Sequence, residues 1–326
     1  MGRLPIAAFV ALFAFGGDAA ARDLRISHQW NTNDIRHAVA TVLADEVAKS
    51  NTDLTIKIFP KRELYKPREQ YEPLMSGELD MSIYPLAYSG KRHPEYNLTL
   101  MPGLVKNHDH ASRLVRSEFM GEIEEILAKD DLMVLIHGYL AGGFAGTEGC
   151  VKRPTDIDGK VARAAGAAFE SMLSGAGATI KSMPSSRIYD EMDAGALQVA
   201  NTSSASFVSF KLYEQVRCFT PAGDYALWFM YHPVLMNKST FDALTPAQQT
   251  ALLSAARKAE TYFSQEAVKQ DDLARQVFVD KGVEVVEMDE IDYVEWFGVA
   301  KETAYEAFLA DMPNGMRLLN LALSVQ

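Results

Sequence analysis

A long segment without helix breakers, close to the carboxyl terminus, constrains the fold most. Thr245 and Pro246 form a helix start, with threonine as the N-cap and proline at the first helical position, and neither proline nor glycine occurs again before Gly282. At 1.5 Å per residue, a helix of about 35 residues extends roughly 50 Å, which exceeds the diameter of one small domain. We therefore predict a single helix that runs along two lobes.

The alternative for this segment is a coiled-coil or dimerisation arm. Its apolar residues do not keep a sustained heptad repeat, and they form instead a loose stripe that faces a core, at Leu253, Ala256, Phe263, Ala267, Ala274 and Val277. This pattern favours a helix packed along the body of the protein.

Upstream of this helix, strand and helix patterns alternate. Strand patterns at 24–30, 54–58 and 79–83 are separated by helix patterns at 35–49 and 69–76. Such alternation is typical of βα units on a parallel sheet, and about 300 residues exceed one ordinary core, so we predict a two-lobed α/β fold. Further strands are predicted at 133–137, 161–163, 179–182, 197–201 and 225–236.

The amino terminus has the pattern of an export signal. Arg3 is followed by an apolar run from Leu4 to Phe15 and by the small residues Ala19, Ala20 and Ala21. A run of about 12 apolar residues is shorter than the roughly 20 that span a bilayer, which indicates a signal peptide cleaved after Ala21. The alternative is an anchor that stays uncleaved. We expect a periplasmic protein.

The charge balance excludes some partners. The formal net charge is −11 and no basic run occurs, so nucleic-acid binding, which depends on neutralised phosphates, is not expected. An acidic surface weakly repels anions, so an anionic ligand would need a local cationic site.

The two cysteines, Cys150 and Cys218, are most simply a disulfide in an exported protein. On the chain-entropy model, closing a loop of about 70 residues would stabilise the fold by about 4 kcal/mol. Two buried free thiols are the alternative. The spacing of cysteines and histidines does not match a metal site, and His108 to His110 are interpreted as a solvated loop, so we expect neither a metal nor a cofactor.

One cation lies at a predicted strand end. The segment 150–163 has a Pro-Thr-Asp turn, a break at Gly159 and a short strand that ends at Arg163. In a cleft, a guanidinium holds a carboxylate through two parallel charged hydrogen bonds, a geometry that lysine cannot reproduce. The pattern therefore suggests an organic acid as ligand, while the structural alternative is an ion pair between Arg163 and a nearby carboxylate.

This segment resembles the P-x-D-l-x-G-x-k-[ivx]-R element of the periplasmic solute-binding proteins of tripartite ATP-independent periplasmic (TRAP) transporters, dicarboxylate-binding type. The similarity covers nearly the whole chain after Ala21, with matching segments at 59–60, 77–81, 100–104 and 241–249. It implies a two-lobed periplasmic binding protein of the type II-like class, with a long helix spanning both lobes and Arg163 gripping the substrate carboxylate. It also implies a membrane partner of one small and one large subunit, driven by an ion gradient.

The sequence departs from the family pattern at two places. Gln198 stands where an aspartate is usual, so Asn201, Thr202 or Ser203 would assist the arginine. Many members carry another arginine near 141–144, where this chain has Ala-Gly-Gly-Phe. One guanidinium suggests one carboxylate, so we expect a monocarboxylate that is hydroxylated, sugar-derived or aromatic.

Neutral side chains would then contact the rest of the ligand. The candidates are His28, Trp30, Tyr88, Tyr225, Trp228 and His232. Each has a structural alternative, because tryptophans commonly pack in cores or hinges and a histidine in an apolar alternation is commonly a hydrogen-bonded core residue. A second cation could come from Arg187 or Lys91.

The expected organisation is a first lobe of 22–143 plus 234–264 and a second lobe of 144–233 plus 265–326. The sequence lacks a Gly-x-Ser-x-Gly elbow, a His-Glu-x-x-His motif and a phosphate-binding loop, so an enzyme is not expected. The predicted function is periplasmic capture of an organic acid by a monomer and its delivery to the membrane subunits. A ligand-sensing subunit and a periplasmic enzyme acting on an acid are the alternatives.

Overall fold

The computed structural model describes residues 22–326, and the predicted signal peptide with its cleavage site lies outside them. The described chain forms twelve strands: β1 (Arg22–Ser27), β2 (Leu54–Phe59), β3 (Met81–Ile83), β4 (Leu132–Ile136), β5 (Tyr139–Gly146), β6 (Val161–Ala164), β7 (Thr179–Ser182), β8 (Val199–Ser203), β9 (Cys218–Thr220), β10 (Trp228–Tyr231), β11 (Val234–Asn237) and β12 (Glu284–Val285).

Helices surround these strands. In the described residues they are α1 (Ile35–Ala48), α2 (Tyr71–Met75), α3 (His108–Leu114), α4 (Glu118–Lys129), α5 (Ala167–Gly175), α6 (Ile188–Asp193), α7 (Ser204–Ser209), α8 (Lys238–Asp242), α9 (Pro246–Asp280), α10 (Glu290–Ala300), α11 (Glu306–Asp311) and α12 (Gly315–Leu323). A π-helical segment, Lys301–Tyr305, joins α10 to α11. In this part of the chain, no helix combines the length and the apolar character that crossing a bilayer requires.

The strands form two sheets, one in each lobe. The first has the order β2-β1-β3-β11-β4, and the second has the order β12-β9-β5-β8-β6-β7, with β10 also paired to β5. Neighbours β1, β2 and β3 are parallel, and so are β6, β7 and β8. The predicted two-lobed α/β fold is confirmed.

The chain crosses between the two sheets through two short segments and the long helix. His137 and Gly138 connect β4 to β5, and His232 and Pro233 connect β10 to β11. The crossings hydrogen-bond to each other, since the amide of His232 donates to the carbonyl of Gly138 at 2.7 Å. Backbone rotations at these few residues can move one lobe relative to the other.

The long helix has the predicted bounds. Thr245 forms a capping box with Gln248, which fixes the start, and α9 runs for 35 residues. Ala259 and Phe263 contribute to the core of the first lobe, whereas Phe278 contributes to the core of the second. The prediction of one helix along both lobes is confirmed.

Two expectations about strands and boundaries need correction. The strand predicted at 225–236 is two strands in different sheets, because His232 and Pro233 turn the chain from one lobe to the other. The predicted boundary at 143 falls inside β5, which belongs entirely to the second sheet, so the first crossing lies at 137–138. The helix α12, assigned to the second lobe, packs on α4, which covers the first sheet.

The predicted disulfide is present. Cys150 and Cys218 are bonded, with Cα atoms 4.9 Å apart. Cys218 opens β9, and Cys150 lies just upstream of the turn that leads into β6. The bridge therefore ties the segment that carries Arg163 to its own sheet.

Candidate ligand site

Arg163 lies near the carboxyl end of β6, where the local sequence places it. A turn at Pro154–Ile157 and the positive φ of Gly159 (+70°) direct the chain into the strand. Its parallel neighbours β7 and β8 end at the same edge of the sheet. Ligands of open α/β sheets bind at this edge.

The Arg163 guanidinium is buried, and the described residues place no counter-ion against it. It is 1% exposed, its Nε donates to the carbonyl of Met183 at 3.0 Å, and its Nη1 donates to the carbonyl of Asn201 at 2.5 Å. Asn201 returns a bond from Nδ2 to the Arg163 carbonyl at 2.7 Å. Among the described residues, no carboxylate lies within ion-pair distance of it. Burial lowers the pKa of Arg163 to about 10, so the side chain is charged at neutral pH.

Tyr88, a residue of the first lobe, lies close to Arg163. Its hydroxyl accepts from Nε2 of Gln29 at 3.2 Å and from the amide of Ser185, in the second lobe, at 3.2 Å. The same hydroxyl is close enough to Arg163 to raise the pKa of the guanidinium and so to oppose part of the burial effect. The lobes are therefore closed over Arg163 in this structure.

A second guanidinium, which the sequence interpretation missed, lies beside the first. The guanidinium carbon of Arg68 lies 5.2 Å from the ring centroid of Tyr88. Its Nη2 donates across the cleft to the carbonyl of Ala165 at 3.3 Å and to the hydroxyl of Ser182 at 3.0 Å. Its charge lowers the pKa of Arg163. Its Nε is buried and finds no partner in the described part of the chain.

Two tryptophans supply neutral donors. Trp30 and Trp228 are buried, and their rings lie on His232 at centroid distances of 5.6 and 6.2 Å. Within residues 22–326, both indole N–H groups lack an acceptor. The glycine at 142 is needed here, because a Cβ at that position would lie 2.7 Å from the Trp228 ring and 1.9 Å from the Thr202 carbonyl.

Acceptors accompany these donors. Oε1 of Gln29 and Oδ1 of Asn201 are buried and have no donor from the described residues. A buried polar group without a partner costs roughly 1–3 kcal/mol, so a closed cleft with several of them is suited to a ligand that supplies the missing bonds. The site combines one buried cation with unpaired donors and acceptors.

A second buried arginine near the cleft is fully paired. Arg36 binds Asp34 through two short bonds, 2.6 and 2.7 Å, and donates to Ser206 and Ser203 of the second lobe at 2.9 and 3.3 Å. Asp34 also accepts from Ser209 at 2.6 Å. Burial raises the pKa of Asp34, but the charge and hydrogen bonds of Arg36 outweigh it and hold the pKa low. This pair links the lobes.

The remaining candidates have other partners. Nε2 of His28 lies 3.1 Å from Nδ1 of His37, and Nδ1 of His28 accepts from the Trp30 amide at 3.2 Å, so both ring nitrogens of His28 have partners. Burial lowers its pKa to about 3, which keeps it neutral. Ser203 caps α7 and bonds Arg36. Tyr225 is half-buried and packs on Tyr293.

The positions discussed at the departures from the family pattern are also occupied. Gln198 accepts from the amide of Val161 at 2.9 Å and so holds the start of β6. Arg187 pairs with Glu191 at the surface, and Lys91 is exposed. The structure thus groups Arg163, Asn201 and Tyr88 through direct contacts, and Trp30, Trp228 and His232 through ring packing. These contacts do not include Tyr225.

Comparisons with known proteins identify the family of this chain. The family model for bacterial extracellular solute-binding proteins, family 7, matches residues 26–311. A solute-binding protein of Albidiferax ferrireducens is 32% identical over 329 aligned residues, covering 99% of this chain and 96% of that protein.

Solved structures of other proteins share this fold. A TRAP periplasmic solute-binding protein from Rhodoferax ferrireducens with bound malonate superposes with a TM-score of 0.89 at 31% identity, covering 93% of this chain and 98% of that one. A TRAP solute-binding protein from Sulfitobacter with bound β-D-galacturonate has a TM-score of 0.85 at 21% identity, with coverage of 93% and 99%, and shares the fold.

The fold and the comparisons define the class, a two-lobed extracytoplasmic solute-binding protein. The chain belongs to the bacterial extracellular solute-binding proteins, family 7, the periplasmic receptors of TRAP transporters. Members of this family bind substrates for transport and are not enzymes, which sets aside the enzymatic alternative.

Proposed function

We propose that this receptor captures a small organic acid by placing one carboxylate on Arg163 and closing both lobes around it. The observation that carries this proposal is the buried guanidinium, which donates to two carbonyls and has no carboxylate within ion-pair distance among the described residues. A buried charge without compensation costs several kcal/mol, and a bidentate carboxylate would remove that cost. The captured acid would then be delivered to one small and one large membrane subunit.

We further propose that the ligand is a monocarboxylate with a polar neutral body. Arg163 is the cation that is buried without compensation, whereas Arg68 is only half-buried and already bonds two groups of the second lobe. The unpaired indole N–H groups and amide oxygens match the hydroxyls of a sugar acid better than a second carboxylate. The relatives include one structure with galacturonate and one with malonate, so the two classes are a direct contrast.

A matched ligand panel tests this proposal. Thermal unfolding of the purified receptor, stripped of bound ligand by partial unfolding, is followed with galacturonate, glucuronate, pyroglutamate, malonate and succinate. A ligand at about 100 times its Kd stabilises the folded state by about 2.7 kcal/mol. A larger shift with a monoacid than with malonate supports the proposal, whereas preference for malonate would assign a second carboxylate to Arg68. No shift with any acid, and no acid in the stripped fraction, contradicts acid binding.

Export and assembly are part of the same proposal. We expect cleavage after Ala21, so that the exported protein begins at Arg22, and a monomer in solution. Amino-terminal sequencing of periplasmic protein and light scattering check both. Delivery is checked by uptake of labelled ligand into vesicles that contain the two membrane subunits, with uptake expected only when the receptor is added.

A further inference from the structure

Arg163 is held in place by its own lobe. Its Nε and Nη1 donate to the carbonyls of Met183 and Asn201, and Nδ2 of Asn201 donates to the Arg163 carbonyl. These residues lie on β6 and β8 and directly after β7, all strands of the second sheet. Because these bonds do not cross between the lobes, they can persist when the cleft opens. The open receptor therefore already presents an oriented guanidinium.

Arg68 belongs to the opposite lobe and makes bonds of another kind. It lies in the loop between β2 and α2, and its Nη2 donates to the carbonyl of Ala165 and to the hydroxyl of Ser182. Ala165 directly follows β6 and Ser182 ends β7, so both acceptors belong to the second lobe. These bonds therefore exist only while the two lobes are together.

The Arg68 contacts lie far from the crossing segments. In the second sheet β5 continues from the crossing at 137–138, and β7 lies three strands away in the order β5-β8-β6-β7, at about 14 Å. Arg36, by contrast, has its Nη1 only 3.3 Å from Nε2 of the crossing residue His232. In a rotation about the crossing segments, displacement grows with distance from them. Opening therefore separates the Arg68 contacts much more than those of Arg36.

The lobes meet closely around Arg68. A Cβ on Gly166 would lie 3.3 Å from the carbonyl oxygen of Ala87 in the first lobe, so the main chains leave little room there. Arg163 is 1% exposed and Tyr88 is 9% exposed, whereas Arg68 is half-buried and lies beside the Tyr88 ring. Exposure rises in that order, so Arg68 forms the outer layer over Tyr88 and Arg163.

We propose that Arg68 latches this outer edge of the cleft and sets how long the receptor stays closed. Arg68 is then a positioning residue, because its partners are protein oxygens of the other lobe and it acts through closure. Its role in acid release rests on the proposed capture at Arg163, since the acid leaves only when this edge opens. The Arg68 bonds form after the lobes have met, so their loss should speed release and leave association unchanged.

Closure without any acid tests the latch first. Fluorophores on the two lobes report the closed intervals of single ligand-free molecules by energy transfer. Arg68→Met keeps an unbranched stem but removes the guanidinium, and it should shorten the mean closed time about tenfold, because a charged donor is lost. Ser182→Ala removes one acceptor and should shorten it about threefold. In the Arg68→Met background, Ser182→Ala should add less than about 1.5-fold, because its partner is already missing.

Lys66→Met is the matched control for the loop. Lys66 pairs with Glu69 at the surface, and their side chains are 79% and 60% exposed. This change should leave the closed time within about 1.5-fold of wild type. Ser182 is exposed, so Ser182→Ala keeps the test informative if Arg68→Met folds poorly. Independent effects of the two changes, an unaltered closed time in Ser182→Ala, or a ligand-free wild type that never closes would overturn the latch.

Acid kinetics then separate the latch from the proposed function. Stopped-flow binding of the best acid from the panel should give dissociation rate constants that rise about tenfold in Arg68→Met and about threefold in Ser182→Ala, with association rate constants within about twofold of wild type. An acid whose dissociation is faster in Arg68→Met but unchanged in Ser182→Ala would overturn the latch and indicate direct contact between Arg68 and the acid. The predicted closed times in a receptor that binds no acid would reject only the proposed function.

Discussion

Two buried guanidiniums near the cleft differ in one respect. Arg36 and Arg163 are 0% and 1% exposed. Arg36 is neutralised by Asp34 and bonded to serines of the other lobe, whereas Arg163 donates to two backbone carbonyls and, among the described residues, has no carboxylate within ion-pair distance. The first arrangement is complete without a ligand, and the second has no anion at ion-pair distance within residues 22–326. Burial is the same for both residues, so the proposed role of Arg163 rests on the partners of its guanidinium.

The largest effect is expected when Arg36 loses its counter-ion and becomes, like Arg163, a buried guanidinium without a bound carboxylate. Asp34→Asn keeps the side-chain shape but removes the charge, so the buried Arg36 loses its counter-ion. We expect the free energy of unfolding to fall by about 3–5 kcal/mol, as for other buried pairs that lose one partner. Urea unfolding of the ligand-free protein measures this loss.

Asp242→Asn is the matched control, because Asp242 pairs with Lys238 at the surface and its side chain is 55% exposed. This change should cost less than about 1 kcal/mol. Equal losses in the two variants would show that the Asp34 pair is not the stabilising contact that the structure indicates.

A smaller effect is expected from the link between the lobes. Ser206 accepts a 2.9 Å bond from the charged Nη2 of Arg36, and hydrogen bonds to charged groups contribute about 1.5–3 kcal/mol. Ser206→Ala should lower the free energy of unfolding by about this amount and should weaken acid binding, because the bond crosses between the lobes. Ser239→Ala, at an exposed position, should change neither quantity. Wild-type stability in Ser206→Ala would contradict the link.

The smallest effect, counted per pH unit, comes from His28. Burial lowers the pKa of His28 to about 3, against 6.5 when unfolded, so only the unfolded chain takes up this proton as the pH falls through that window. The free energy of unfolding should therefore decrease from about pH 6.5 downward. His28→Gln should reduce this slope by up to about 1.4 kcal/mol per pH unit. Parallel curves for wild type and variant between pH 6 and 4 would contradict a neutral buried His28.

Local patterns were enough to predict the long helix, the disulfide and the strand that carries Arg163. Thr245, Pro246 and Gly282 are start and stop signals that act within a few residues, and Cys150 and Cys218 were the only possible pair. Periodicity did not reveal β5, because Gly142 and Gly143 have low strand propensity and are present for close backbone contacts with Thr202 and Thr220.

Partnerships across the cleft were not predictable. Arg68 follows a proline in a polar stretch that resembles a solvated loop, yet folding places it beside Tyr88. Arg36 lies in the first turn of a helix, where the sequence gives no sign of the serines that it meets in the other lobe. Such contacts depend on how the lobes close, which a linear pattern does not encode.

The most direct test of the account measures the affinity of the best acid from the panel for Arg163→Gln and for Arg187→Gln. Arg187 is a surface arginine paired with Glu191, so its replacement should leave the Kd within about twofold of wild type. Arg163→Gln should weaken binding at least about a hundredfold, and Arg163→Lys should also bind poorly, while both remain folded. Near-wild-type affinity in Arg163→Gln would contradict the assignment of this buried, unpaired cation as the carboxylate site.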